Sequence, residues 1–120
     1  MRPPKAIYIS GPMRGHPEFN FPAFFEAETK LRRWHPDSEI FSPARRDMRE
    51  GFNPIGLQGT PDELRELGFC IRDSLAADCE FICRSATHIH MLTGWSRSTG
   101  ATAERALGIA LGLTIWGAPA

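Results

Sequence analysis

A chain of 120 residues with 14 basic and 14 acidic side chains carries no formal net charge at neutral pH. That excludes a general nucleic-acid binder, which needs a surplus of Lys and Arg to neutralise a phosphate backbone. Its 42 % hydrophobic and 23 % charged residues exclude intrinsic disorder, and the length suits one domain over residues 1–120 with a core that needs no staples.

Ala6-Ile7-Tyr8-Ile9-Ser10 is a β-rich run that stops at Gly11-Pro12, a strand meeting a turn. Asn20 offers an N-cap, and Phe21, Phe24, Phe25, Leu31 and Trp34 form an apolar stripe, so a helix is expected over 21–34. Glu39-Ile40-Phe41 is a second short strand. Residues 43–60 carry Gly51, Pro54, Gly56 and Gly59 with little periodicity and read as a long loop, of the kind that forms a lid or substrate wall. Thr60-Pro61-Asp62-Glu63 is a helix-start signature, and helical character runs from there, with breaks, to Arg84. Thr87 to Leu92 reads as a third strand, Gly100 to Leu111 as a helix apolar almost all round, and Leu113 to Trp116 as a last strand.

Alternating strands and helices define an α/β chain with a central parallel sheet covered on both faces. Ligands of such sheets bind outside the carboxyl ends of the strands, which here means the loops at 10–20, 42–60 and 93–100. No apolar run reaches the ~20 residues of a bilayer span, and the start Met1-Arg2-Pro3-Pro4-Lys5 does not read as a signal peptide. A cytoplasmic protein without membrane or nucleic-acid partners is expected. Cys70, Cys79 and Cys83 are an odd number and lack the spacing of a zinc knuckle, so they read as small buried thiols rather than as disulfides or metal ligands.

Chemistry is expected at three places. Ser10-Gly11-Pro12-Met13-Arg14-Gly15 allows close backbone approach, and the Arg14 guanidinium matches a phosphate, although the loop lacks the Gly-Lys-Ser/Thr ending of a P-loop. Trp95 to Gly100 combines hydroxyls with a helix N-terminus, an anion site beside an indole that could stack on a planar ring. Glu104 shares a face with Ala101, Leu107, Gly108 and Leu111, and a carboxylate on a buried stripe must be paired or be working. Six helical steps separate Ser98 from Glu104, about 600° of rotation. Both can touch one ligand only if Ser98 lies in the loop and the helix starts near Gly100. Asp78, flanked by Leu75, Phe81 and Ile82, is a second acid at the edge of an apolar stripe, and paired carboxylates at an apolar crevice are what glycosidic chemistry needs.

Tyr8 to Gly15, Asp78 on a helix before a strand, and Ser98-x-Gly100-x-x-x-Glu104 together resemble the nucleoside 2-deoxyribosyltransferase superfamily, whose nearest characterised branch is the 2′-deoxynucleoside 5′-phosphate N-hydrolases. Asn20-Phe21-Pro22 and Gly94-Trp95-x-x-Ser98-x-Gly100-Ala101-x-x-Glu104 are similar to an uncharacterised family met in phages and prophages. The resemblance spans residues 6 to 115. It implies a Rossmann-like or flavodoxin-like three-layer sandwich, nucleotide metabolism, no metal and no organic cofactor. It implies Glu104 as the nucleophile on C1′, Asp78 as the aspartate that assists at the sugar and base, and Tyr8 as the tyrosine that positions the glutamate. Arg14, Gly15, Ser98 and Gly100 match positions around a 5′-phosphate, joined as substrate-binding candidates by Ser10, Gly11 and Trp95. Pro12 stands where the nucleotide hydrolases have a phosphate-binding serine.

The expected activity is therefore hydrolysis of the N-glycosidic bond of a (deoxy)nucleoside 5′-monophosphate by a homodimer, with interface aromatics near Trp34 and Trp116. Base exchange by a deoxyribosyltransferase is the alternative with the same chemistry. A non-catalytic module that binds a nucleotide or nucleotide signal is the alternative of another class, and two added negative charges would not help such an anion binder. In a purely structural protein, Glu104 would pair with Arg105 or Arg72.

Overall fold

The computed structural model describes residues 4–120, so the Met1–Pro3 part of the N-terminal reading lies outside it. Strands β1 (Ala6–Ser10), β2 (Glu39–Phe41), β3 (His88–Met91) and β4 (Thr114–Gly117) form one parallel sheet in the order β2-β1-β3-β4. Helices α1 (Phe21–Trp34), α2 (Pro43–Arg49), α3 (Pro61–Glu66), α4 (Ile71–Arg84) and α5 (Thr99–Ala110) connect them. The architecture is the α/β domain with a central parallel sheet expected from the alternation of elements, and it is consistent with the Rossmann-like or flavodoxin-like sandwich that the resemblance implies. None of the helices among the described residues is long and apolar enough to cross a membrane.

Strand alternation sorts the core into two layers. Ile7 and Ile9 of β1 pack with Phe21, Phe24 and Leu31 of α1 and Ile40 of β2. Tyr8 of β1 faces the other way, with Ile89 and Met91 of β3, Ile82 of α4 and Ala101 of α5. Burial of each large apolar side chain in these layers contributes roughly 1.5–3 kcal/mol. Helix α5 lies tight on the sheet because Gly108 has no side chain; a Cβ there would run into Cδ1 of Ile89.

The structure corrects several details of the sequence reading. Residues 43–60 are not one long loop, since α2 occupies the first seven of them, with the Ser42 hydroxyl accepting from Arg45 N and Pro43 in the first turn. The buried face of this short helix is Pro43, Ala44 and Asp47, so a carboxylate fills a position where periodicity looks for an apolar residue. The helical stretch after Thr60 breaks as expected, at residues 67–70, where Gly68 adopts φ +70°.

Asn20 precedes α1 but does not cap it. Glu18, Phe19 and Asn20 have φ of 54°, 53° and 63°, and this left-handed turn sends the Asn20 side chain back to donate to Pro12 O at 2.9 Å. Cys70 and Cys83 are exposed and Cys79 is half-buried, because Ser74, Asp78 and Ile82 occupy the buried face of α4. Trp34 is 62 % exposed, but Trp116 is half-buried between the rings of His35 and His88.

Candidate active site

In the order β2-β1-β3-β4 the chain reverses direction across the sheet between β1 and β3, and the crevice at such a switch point is the expected ligand site. A cleft of about 480 Å³ opens there, within the ~300–1,000 Å³ typical of small-molecule sites. The loop after β1 lines it with Gly11, Pro12, Met13 and Arg14, and the start of α5 with Ser98, Thr99 and Gly100. Glu104 and Asp78 both line it as well, so the two acids converge from α5 and α4.

Glu104 is 8 % exposed. Its Oε2 accepts from the Tyr8 hydroxyl at 2.6 Å and its Oε1 from the Ser10 hydroxyl at 2.7 Å. Tyr8 and Ser10 are two apart on β1, so both point at α5, and the strand delivers a pair of donors to one carboxylate. Burial raises the pKa of Glu104 above the ordinary carboxylate value, and the Tyr8 and Ser10 hydroxyls offset part of that rise. Burial, and then the charge of Glu104, raise the Tyr8 phenol well above its ordinary value, so it stays a donor.

No cation pairs with Glu104 among the described residues. Arg105 lies over the Trp95 ring at 4.8 Å instead, which removes the ion-paired structural role. Glu28 shows what such a role looks like: it is buried too, but held by Arg32 at 2.9 Å and Arg45 at 3.3 Å. Asp78 is 7 % exposed and its Oδ1 is fully buried with no hydrogen-bond partner. An orphaned carboxyl oxygen carries a desolvation penalty that a ligand donor or its own proton relieves. Burial first, and then the charges of Glu104 and Asp47, raise the pKa of Asp78 to about 8.

Ser98 is the N-cap of α5, its hydroxyl accepting from Ala101 N at 3.2 Å, and the helix begins at Thr99. This is the arrangement that lets Ser98 and Glu104 face one ligand. The N–H groups of Thr99 and Gly100 belong to the first helical turn, which has no internal acceptors for them and suits an anion.

Three expected binding residues stand elsewhere. Trp95 does not line the cleft; it is buried against the sheet, and its Nε1 donates to Ala118 O at 2.9 Å. Ser10 is wholly buried and bound to Glu104, so it positions the carboxylate rather than touching a ligand. Gly15 lies outside the lining, and its N–H is engaged with Gly59 O at 2.8 Å.

Arg97 and Asp47 are lining residues that the sequence analysis does not single out. Arg97, in the turn before α5, lines the cleft as Arg14 does. Asp47 of α2 is 2 % exposed and accepts from the Ser74 hydroxyl at 3.1 Å, and burial raises its pKa to about 6. The only sequence signal for Asp47 was Ser42-Pro43, an N-cap followed by a first-turn proline.

The fold and the site define an open parallel α/β domain with a carboxylate-bearing cleft at its switch point. The chain belongs to the family described as a domain of unknown function, DUF4406, whose model matches residues 5–116. No curated protein and no solved structure matches it.

Proposed function

We propose that the protein is an N-glycosidase that removes the base from a (deoxy)nucleoside 5′-monophosphate. The observation that carries this reading is the pair of buried carboxyl groups, Glu104 and Asp78, lining one cleft without a cation between them. Their environments differ. Glu104 has two hydroxyl donors that favour its ionised form, whereas the buried Oδ1 of Asp78 has none. Such a division separates nucleophile from acid.

In the first step an oxygen of Glu104 attacks C1′ and the bond from C1′ to the base nitrogen breaks. The bonding pair leaves with the base, which takes a proton from neutral Asp78. In the second step water, giving its proton to the Asp78 carboxylate, attacks C1′ and frees Glu104. Two displacements retain the anomeric configuration. Arg14, Arg97, Ser98 and the first turn of α5 suit the 5′-phosphate, with two guanidinium groups available where Pro12 supplies no hydroxyl.

The test is a panel of nucleosides and their monophosphates incubated with the protein and with Glu104→Gln, with free base read by chromatography. Base release by the parent and a loss of at least ~100-fold in the variant are expected of a nucleophile. Equal release by both removes Glu104 from the mechanism, and nucleotide recovered unchanged from the parent leaves only a binding module.

A further inference from the structure

The chemistry above uses two of the three buried carboxyl groups in the cleft. Asp47, the third, is the least exposed of them, and a buried carboxylate is expensive unless its acceptors are used. Both hydrogen bonds that reach its carboxyl end on Oδ1, from Ser74 at 3.1 Å and from Arg46 at 3.4 Å. Oδ2 receives neither. Asp47, Phe52 and Phe69 line both the cleft and a second, adjoining cavity; Arg46 lines only the second, whereas Ser74 lines only the cleft. The Ser74 hydroxyl and the Arg46 guanidinium thus hold one oxygen of the carboxyl, and Ser74 does so from a residue of the cleft wall. A carboxylate has room for about four donors, and the open positions of this one belong to Oδ2.

We propose that Asp47, steadied by Ser74, selects the leaving base by accepting a hydrogen bond on Oδ2 from an exocyclic amino group. The substrate class is then a nucleotide of cytosine or adenine, and the matching oxo-bases uracil and hypoxanthine are rejected. This inference rests on the reading of the cleft as a nucleotide site. The discrimination has a simple cause. An amino group fills the unused acceptor, whereas a carbonyl oxygen in its place sets lone pairs against a carboxylate and leaves both unpaired. Sites built to hydrogen-bond one group reject the analogue lacking it far better than apolar pockets reject a change of size.

The groups facing Asp47 are Arg46 on its own helix, Glu50 at that helix's C-cap, and Ser74 and Asp78 on α4. His16, Arg14 and Arg97 line the same cleft. The experiment is calorimetric titration of the Glu104→Gln protein, which needs no turnover, with dCMP against dUMP and dAMP against dIMP. At pH 7.5 the amino-bearing member of each pair is expected to bind at least ~10-fold more tightly. Adding Asp47→Asn, whose amide offers both a donor and an acceptor, brings each pair within about 2-fold. In the Glu104→Gln protein with Asp47 intact, the preference also fades below about pH 6 as Asp47 takes up a proton. The same series with His16→Gln separates the imidazole from this effect, and it keeps the proposal testable if Asp47→Asn does not fold. Equal affinities at pH 7.5, a preference unchanged by Asp47→Asn, a preference indifferent to pH, or no binding of any of the four nucleotides overturns the assignment. A clear amino preference without base release by the parent protein sinks only the glycosidic chemistry.

Discussion

The Tyr8 hydroxyl and the Glu104 carboxylate, ninety-six residues apart in the chain, meet at 2.6 Å in the buried seam between β1 and α5. The bond joins the first strand to the last helix and lowers the proton affinity of the group on which the proposed chemistry depends. Tyr8→Phe removes the donor and keeps the ring that stacks on Phe41 at 5.5 Å. Loss of a hydrogen bond to a charged group is expected to cost about 1.5–3 kcal/mol of stability. Glu104 then holds its proton more strongly, so the acid limb of the kcat/KM profile moves to higher pH. A profile that does not move would mean that Tyr8 serves packing alone.

Asp78 links stability to pH in the opposite direction from a salt-bridged carboxylate. Its folded-state pKa, about 8, lies above the ordinary 3.8, so the folded protein holds the proton and loses stability as pH rises between those values. Asp78→Asn is expected to match the parent's Tm below about pH 4 and to exceed it by a margin that grows up to about pH 8 and then levels. Thermal melts across that range check the sign. The alkaline limb of base release, expected near pH 8, disappears in the same variant if Asp78 supplies the proton.

Arg14 and Arg97 are exposed at the mouth, where they affect stability little. Arg14→Gln and Arg97→Gln are each expected to raise KM for a nucleoside monophosphate by roughly 10-fold, the scale of one charge-assisted contact, while KM for the parent nucleoside stays the same. Equal effects on both substrates would remove the phosphate from this end of the cleft.

Trp95→Phe separates packing from recognition. It loses the hydrogen bond to Ala118 O and part of the surface on which Arg105 rests. A fall in Tm with KM unaltered is expected, whereas a raised KM at unchanged Tm would return Trp95 to the ligand.

Gly59 tests how the cleft wall is held. It has φ +92°, and a Cβ there would meet His16 O, next to the bond from Gly15 N to Gly59 O that ties the two loops. Gly59→Ala is expected to destabilise by more than ~1 kcal/mol, because both the backbone angle and the space are unsuitable. Gly15→Ala, with φ +85° and open space, meets only the angle and costs less. Denaturant melts of the two variants compare them directly.

Local order along the chain determined much of this molecule. The strands at Ala6–Ser10 and His88–Met91, the amphipathic helix at Phe21–Trp34 and the apolar last helix follow from hydrophobic period and turn residues, which act over a few positions. The buried stripe of α5 made Glu104 conspicuous, because a charge among apolar neighbours is costly wherever it lies. Helix α2 was hidden by the same logic: its inward residue is Asp47, so no apolar period marks it. Tertiary structure alone decided which residues share the cleft, since hydrogen bonds such as Ser10 to Glu104 and Ser74 to Asp47 join distant segments. It also turned Trp95 away from the cleft and gave Gly15 a backbone partner. Period and propensity record which face of an element is buried, but what that face meets depends on the order in which the strands pair.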